Sequence, residues 1–310
     1  MISTPELKAH KFGSPSAEEA GTKVEAALHG TGIASLRAMD GQSLIDASAA
    51  AGFSPFGVVD GQVLPRQLVD VFDRGEQARV PLLAGFNSGE IRSLTFLAPP
   101  PPASAAEYER IIRARYGDLA DEFLRLYPAS NLRESVIATT RDALYGWTSE
   151  RLVRSQVALG FPSFLYLFDH GYANADNAGL HAFHASELPY VFGNLERTPP
   201  RWPRIPAAAS EAALSEAMMD YWSSFARSGQ PRSENGPSWS SYGTTGAFMS
   251  FQDVPHPSTH LYPGMYQLHE AAVCRRKAGA DLAWNWNVGV ISPPLAADNA
   301  RQTRQTCIVN

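Results

Sequence analysis

Two histidines and a glutamate stand close together in "LHAFHASELPYVFG" (180–193): His181, His184 and Glu187. A second acid, Glu90, follows the apolar run "VPLLAGFN" in the turn "NSGE". An imidazole and a carboxylate presented by two strand-end loops form the orienting half of an acyl-transfer triad. The acid fixes the tautomer of the ring and stabilises the imidazolium that forms when the ring takes a proton. Plainer roles fit the same residues: Glu90 as a solvated loop acid, His184 as a hydrogen-bonded structural histidine. A third arrangement takes His181, His184 and Glu187, at three-residue spacing, as a metal site on one helix face. Nearby proline and glycine disfavour a helix there, so a metal is not expected.

The elements that would position these groups emerge from periodicity. "VPLLAGFN" (80–87) and "PSFLYLFDH" (162–170) are continuous apolar runs, the pattern of strands buried on both faces. "FMSFQD" (248–253) reads as a short edge strand. Short helices are expected in "SAEEAGTKVEAAL", where a serine caps early glutamates, and in "IASLRAMDGQSLIDASAAA". "VVDGQVLP" reads as a loop. Further helices are expected over 104–117, 133–160 and 209–229, the last with glycine just past its end. A closing helix occupies 262–279, with proline near its start and basic residues near its end.

Strands separated by long helices imply an α/β architecture, a mostly parallel sheet flanked by helices. Such folds keep their chemistry in loops beyond the C-terminal strand ends, where Glu90 and His184 both fall. Two central strands are too few for this fold, because each buried backbone group needs a partner. The sheet is therefore expected to be incomplete. Residues 1–280 read as one partial domain and 281–310 as a polar, flexible tail.

Composition narrows the classes. The chain has 310 residues, 44% hydrophobic and 18% charged, as in soluble globular proteins. Its formal net charge of −5 argues against nucleic acid as a partner. No apolar run approaches the length that spans a bilayer. The N-terminus lacks an apolar signal region, which as written gives a cytoplasmic chain; a signal lost upstream would make it exported. Cys274 and Cys307 lack metal-ligand spacing, and the polar surroundings of Cys307 argue against a bridge between them.

Several segments together resemble the type-B carboxylesterases, the cholinesterase-like α/β-hydrolases. "PLLAGFNSGE" resembles the segment that carries that family's triad glutamate. "HASELPYVFG" is similar to its histidine motif, with Ala185 in place of the usual glycine, a change tolerable where φ stays negative. "VVDGQVLP", "YWSSFARSGQP" and "PSWSSY" match further family segments in the same order, over roughly residues 50–270. The resemblance implies the C-terminal part of an α/β-hydrolase fold, Glu90 as triad acid, His184 as triad base, Glu187 as support for the histidine loop, and no cofactor. His181 has no counterpart in the motif and reads as a loop histidine. The substrate class implied is a small carboxylic ester, with Trp147, Phe183 and Tyr190 as aromatics for an acyl pocket or for plain core packing.

The nucleophile is missing. In α/β-hydrolases the serine lies in Gly-x-Ser-x-Gly and precedes the acid and then the histidine. No such motif occurs in the sequence; "GFSPFG" (52–57) has one residue too many between its glycines. The glycine-rich loop of the oxyanion hole is absent too. Ser88 and Ser186 lie close to the pair in sequence, but neither sits on an elbow. The expectation is a C-terminal portion that is inactive alone and whose missing N-terminal half is a partner. The alternative is a non-catalytic cholinesterase-like binding or scaffold protein.

Overall fold

The structure is a computed structural model that describes residues 3–30, 32–279 and 288–296. The N-terminal stretch forms short helices, α1 (Ala17–Ala27), α2 (Ile33–Arg37), α3 (Gly41–Ala50) and α4 (Leu68–Asp73). α1 starts on a capping box: the Ser16 hydroxyl accepts from the Glu19 N–H, and the Glu19 carboxylate accepts from the Ser16 N–H at 2.9 Å. None of α1 to α3 buries a residue. "VVDGQVLP" is a loop, folded round Asp60, whose Oδ1 accepts the N–H groups of Gln62, Val63 and Leu64.

The sheet runs β1 (Leu82–Asn87), β2 (Ser163–Phe168), β3 (Ala247–Phe251) and β4 (Pro255–Thr259), in that spatial order. β1 and β2 pair in parallel with Leu82 opposite Ser163, β2 and β3 in parallel with Leu165 opposite Phe248, and β4 returns antiparallel to β3. The 248–253 segment is therefore an interior strand, not the expected edge. Its five strand residues are all buried, and the edge is β4, whose Pro255 and Pro257 fit only where no further ladder is required. His256 lies on that edge strand. β1 departs from expectation as well. Leu82 to Gly85 are only half-buried, because among the described residues β1 pairs on one side alone.

Helices cover both faces of the sheet. Between β1 and β2 lie α5 (Ala105–Tyr116), α6 (Ala120–Leu126), α7 (Leu132–Arg141) and α8 (Trp147–Ala158). The stretch 133–160, expected as one helix, carries a π-helical turn at Asp142–Gly146 between α7 and α8. After β2 come α9 (Ala173–Asn177), α10 (Leu188–Val191) and α11 (Ala209–Ser228), and after β4 comes α12 (Met265–Gly279). Phe164, Phe168, Met249 and Phe251 pack on Met218 and Tyr221 of α11. Phe86, Leu165, Leu167 and Phe248 pack on Val153 of α8. α11 ends as its sequence suggests, with Gly229 at φ 71° donating to the Phe225 carbonyl.

Part of the stretch expected as a flexible tail is packed. Val288 and Ser292 are buried, the Leu295 N–H donates to the Arg115 carbonyl at 2.7 Å, and the Gly289 N–H donates to the Tyr116 hydroxyl. Cys274 on α12 is disulfide-bonded, not the free thiol expected, while Cys307 lies outside the described residues. Among the described residues no helix is long and apolar enough to cross a membrane.

Candidate functional site

β1 and β2 are parallel and in register, so their C-terminal ends open on the same rim of the sheet. Glu90 sits in the turn that follows β1. His184 comes later than the sequence suggests: α9 intervenes after β2, and the chain then returns along the rim. There the Gly89 N–H donates to the Ala182 carbonyl at 2.9 Å, in a short parallel bridge of Gly89 with Phe183. His184 Nδ1 reaches Glu90 Oε2 at 2.5 Å. A carboxylate can only accept, so Nδ1 carries the proton and Nε2 is left as the basic nitrogen. The Glu90 side chain is buried at 7% exposure whereas that of His184 is 44% exposed, so the acid is enclosed and the ring is presented outward. The other carboxylate oxygen, Oε1, accepts the Asn87 N–H at 3.0 Å. The hydrogen bond from His184 to Glu90, with the charge behind it, holds the imidazole above its ordinary range against the opposing effect of burial.

Asn87 ties the two loops together. Its Nδ2 donates to the Phe183 carbonyl at 2.8 Å and to Glu187 Oε2 at 2.5 Å. Burial, with the Glu90 charge nearby, pushes the Glu187 carboxyl up, while the bond from Asn87 pulls the other way. Gly89 is required for space. A Cβ there would lie 2.7 Å from the carbonyl oxygens of both Ala182 and Leu180. Ala185 has φ 67°, so the condition under which alanine replaces glycine without cost is not met, and the residue sits in the left-handed region.

Residues 8–268 match the sequence profile of the carboxylesterase family. The chain belongs to that family. It is 30% identical over 205 residues to fumonisin B1 esterase of Sphingopyxis macrogoltabida, covering 64% of this chain and 37% of that protein. It is 29% identical over 187 residues to para-nitrobenzyl esterase of Bacillus subtilis, covering 59% and 36%. The fold aligns with a PNB esterase at TM-score 0.62 and 21% identity, over 85% of this chain and 56% of that one. It aligns with the Geobacillus stearothermophilus carboxylesterase EST55 at TM-score 0.57 and 21% identity, over 81% and 54%. This carboxylesterase-family chain thus spans a little over a third of its matched curated relatives and about half of these solved structures.

The remaining candidates fall elsewhere. His181 turns from His184 to Asp176 and Asp169, and Glu187 turns to Asn87, so the three groups of the metal reading do not converge. Among the described residues no group of three such side chains is arranged for a metal. Trp147, Phe183 and Tyr190 are core, not pocket: Trp147 donates to Glu270, Tyr190 donates to Glu211, and Phe183 packs edge-on to Trp202. Sequence reasoning gives no role to Tyr145. It projects from the π turn with its ring 5.7 Å from the His184 ring, and burial beside the Glu90 charge raises its hydroxyl to about 12. Only the π turn, invisible to 3.6-residue periodicity, aims it there. Asn87 and Gly89 stand in plain view within "GFNSGE", but their tie to the histidine loop lies in backbone bonds that side-chain types do not announce.

Proposed function

We propose that this chain supplies the acid and the base of a carboxylic ester hydrolase working through an acyl-serine, Glu90 orienting and His184 transferring protons. The observation that carries the reading is the bond from His184 Nδ1 to the buried Glu90 carboxylate on the rim of the parallel strands, with the ring half-exposed. In this reading His184 Nε2 takes the proton of a serine hydroxyl as it attacks the ester carbonyl, then delivers it to the departing alcohol. Glu90 stays ionised and stabilises the imidazolium in between. Water repeats the cycle on the acyl-enzyme.

The serine comes, in this reading, from outside the 310 residues, because they contain no Gly-x-Ser-x-Gly. Among the described residues β1 pairs on one side alone, which supports the same reading, since it offers an open ladder on which a further parallel strand can dock. Loss of the nucleophile costs roughly a millionfold in kcat in a serine protease, which sets the scale for the chain alone.

The test is p-nitrophenyl ester hydrolysis by the purified chain, alone and co-expressed with the portion of para-nitrobenzyl esterase that it does not match. The chain alone should not exceed buffer, and a complemented activity should vanish with His184→Ala and fall with Glu90→Gln. Turnover by the chain alone that disappears with Ser88→Ala or Ser186→Ala would overturn the reading.

A further inference from the structure

The second histidine of the loop is held more elaborately than a loop residue requires. His181 Nδ1 lies 2.8 Å from Asp176 Oδ1, and its Nε2 lies 3.2 Å from Asp169 Oδ1. Carboxylates only accept, so each ring nitrogen is matched to a donor role and the two contacts together select the imidazolium. Asp169 is the residue after β2 and Asp176 belongs to α9, so the ring joins two elements. The space is prepared on a third side. A Cβ at Gly171 would collide with both Asp176 Oδ1 and His181 Nδ1, and glycine leaves that volume to the pair. His181 itself takes φ 51°, a left-handed backbone uncommon for a residue with a Cβ.

The ring belongs to the strip that the acid turn grips. The His181 carbonyl accepts the Phe183 N–H at 3.0 Å, the Ala182 carbonyl accepts the Gly89 N–H at 2.9 Å, and the Phe183 carbonyl accepts Asn87 Nδ2 at 2.8 Å. His184 is the next residue. We propose that His181, clamped as an imidazolium between Asp169 and Asp176, is a positioning residue that sets the His184 loop against the Glu90 turn. The functional meaning rests on His184 being the base of the reaction proposed above; the clamp itself does not.

The two aspartates are the charged groups that face the ring from the elements against it, and their hydrogen bonds and charge hold its pKa above the ordinary histidine range against partial burial. The clamp is therefore complete at pH values below about 6.5 and releases as pH rises through the raised value. On release one ring nitrogen becomes an acceptor facing a carboxylate, and the ring loses one of its two contacts.

The experiment is an imidazole nitrogen and proton NMR titration of the full 310-residue chain, from about pH 5 to pH 9, in which every histidine ring is followed. In the wild type both His181 nitrogens should carry protons below the midpoint, and the His184 Nδ1 proton should resonate far downfield and exchange slowly. In His181→Leu the His184 midpoint should fall toward the ordinary value, by about half a pH unit or more, and its downfield proton should exchange faster. Gly171→Ala, which removes no ionisable group, and Asp176→Asn should shift it in the same direction, and they decide the matter should His181→Leu not fold. A His181 ring that is neutral below pH 6.5, or folded variants whose His184 titration matches the wild type, would overturn the clamp. Ester turnover enters none of these readouts, so failure of the esterase reading leaves this result standing, and the reverse holds as well.

Discussion

Gly89→Ala is the sharpest perturbation of the site, because it adds one methyl and changes no charge. The new Cβ would lie 2.7 Å from two backbone oxygens, Ala182 O and Leu180 O, about 0.7 Å inside the 3.4 Å at which ordinary contact begins. Those oxygens belong to main chain and cannot rotate away, so the histidine strip must move off the acid turn by a comparable distance. The bond from the Gly89 N–H to Ala182 O, now 2.9 Å, then stretches beyond hydrogen-bonding range. Overpacking costs about 1–3 kcal/mol, and one lost bond about 1 kcal/mol more. Restricting the unfolded chain returns about 0.4–1 kcal/mol. The net expectation is a destabilisation of roughly 1–3 kcal/mol, measured by urea unfolding at constant m-value. The same shift carries His184 away from Glu90, and a displacement of about 1 Å in such a pair costs on the order of a hundredfold in rate. The His184 midpoint should therefore fall, and complemented esterase activity should drop on that scale. A Gly89→Ala chain with wild-type stability and an unshifted His184 titration would refute the view that this glycine sets the spacing between the loops.

Glu90→Gln should lower the His184 midpoint; the extra attraction between the imidazolium and Glu90 stabilises the fold below about pH 6.5 and is lost as pH rises through the raised value, so the variant's deficit in stability should shrink at alkaline pH, as unfolding curves at several pH values would reveal. Ala185→Gly relieves a left-handed backbone worth about 1–2 kcal/mol and gives back part of it to the unfolded chain, so urea unfolding should show a modest gain of about 0.5–1 kcal/mol with the His184 titration unchanged. His269, wholly buried against Tyr127, has its pKa pushed down to about 4 by burial. The unfolded chain takes up that proton first, so stability should decline as pH falls from about 6.5 toward 4, and His269→Phe should flatten that limb.

The central strands are legible in the sequence because a strand buried on both faces announces itself as an unbroken apolar run, as "FLYLF" does. β4 is not, since "PHPST" contains two prolines and no apolar alternation, and an edge strand needs neither a complete ladder nor a buried face. Its presence moves β3 from the edge to the interior. The π turn is hidden for a related reason: one extra residue in a turn leaves the composition of a long helix unchanged while rotating every side chain beyond it. At the site, type and spacing make Glu90 and His184 candidates beside plainer roles, and only the resemblance of their flanking segments to the carboxylesterases singles them out. The contacts of Asn87 and Gly89 depend on approach between segments about ninety residues apart, which no local pattern encodes. The left-handed φ of Ala185 fails the condition under which alanine is tolerated after the histidine, and residue type alone does not reveal it.

The geometry of the proposed acid and base is set by contacts among the described residues. Glu90 is placed by the end of β1, by the Asn87 N–H and by burial; the His184 loop is held by the Gly89–Ala182 bond, by Asn87 Nδ2 and, in the proposal above, by the His181 ring. Every one of these contacts lies within the β1–β2 end of the sheet, and β1 and β2 are joined through the whole of their six-residue register. The pair is thus preorganised locally, as the proposed reaction through an oriented imidazole would require. The open side of β1 lies across that strand from β2, so a strand docking there would extend the sheet without crossing the β1–β2 contact that sets the pair. Docking and orientation are in this sense separable: a fault in the β1 edge should abolish complementation yet leave the bond between Glu90 and His184 intact, whereas a fault at Gly89 should break that bond while the edge remains available.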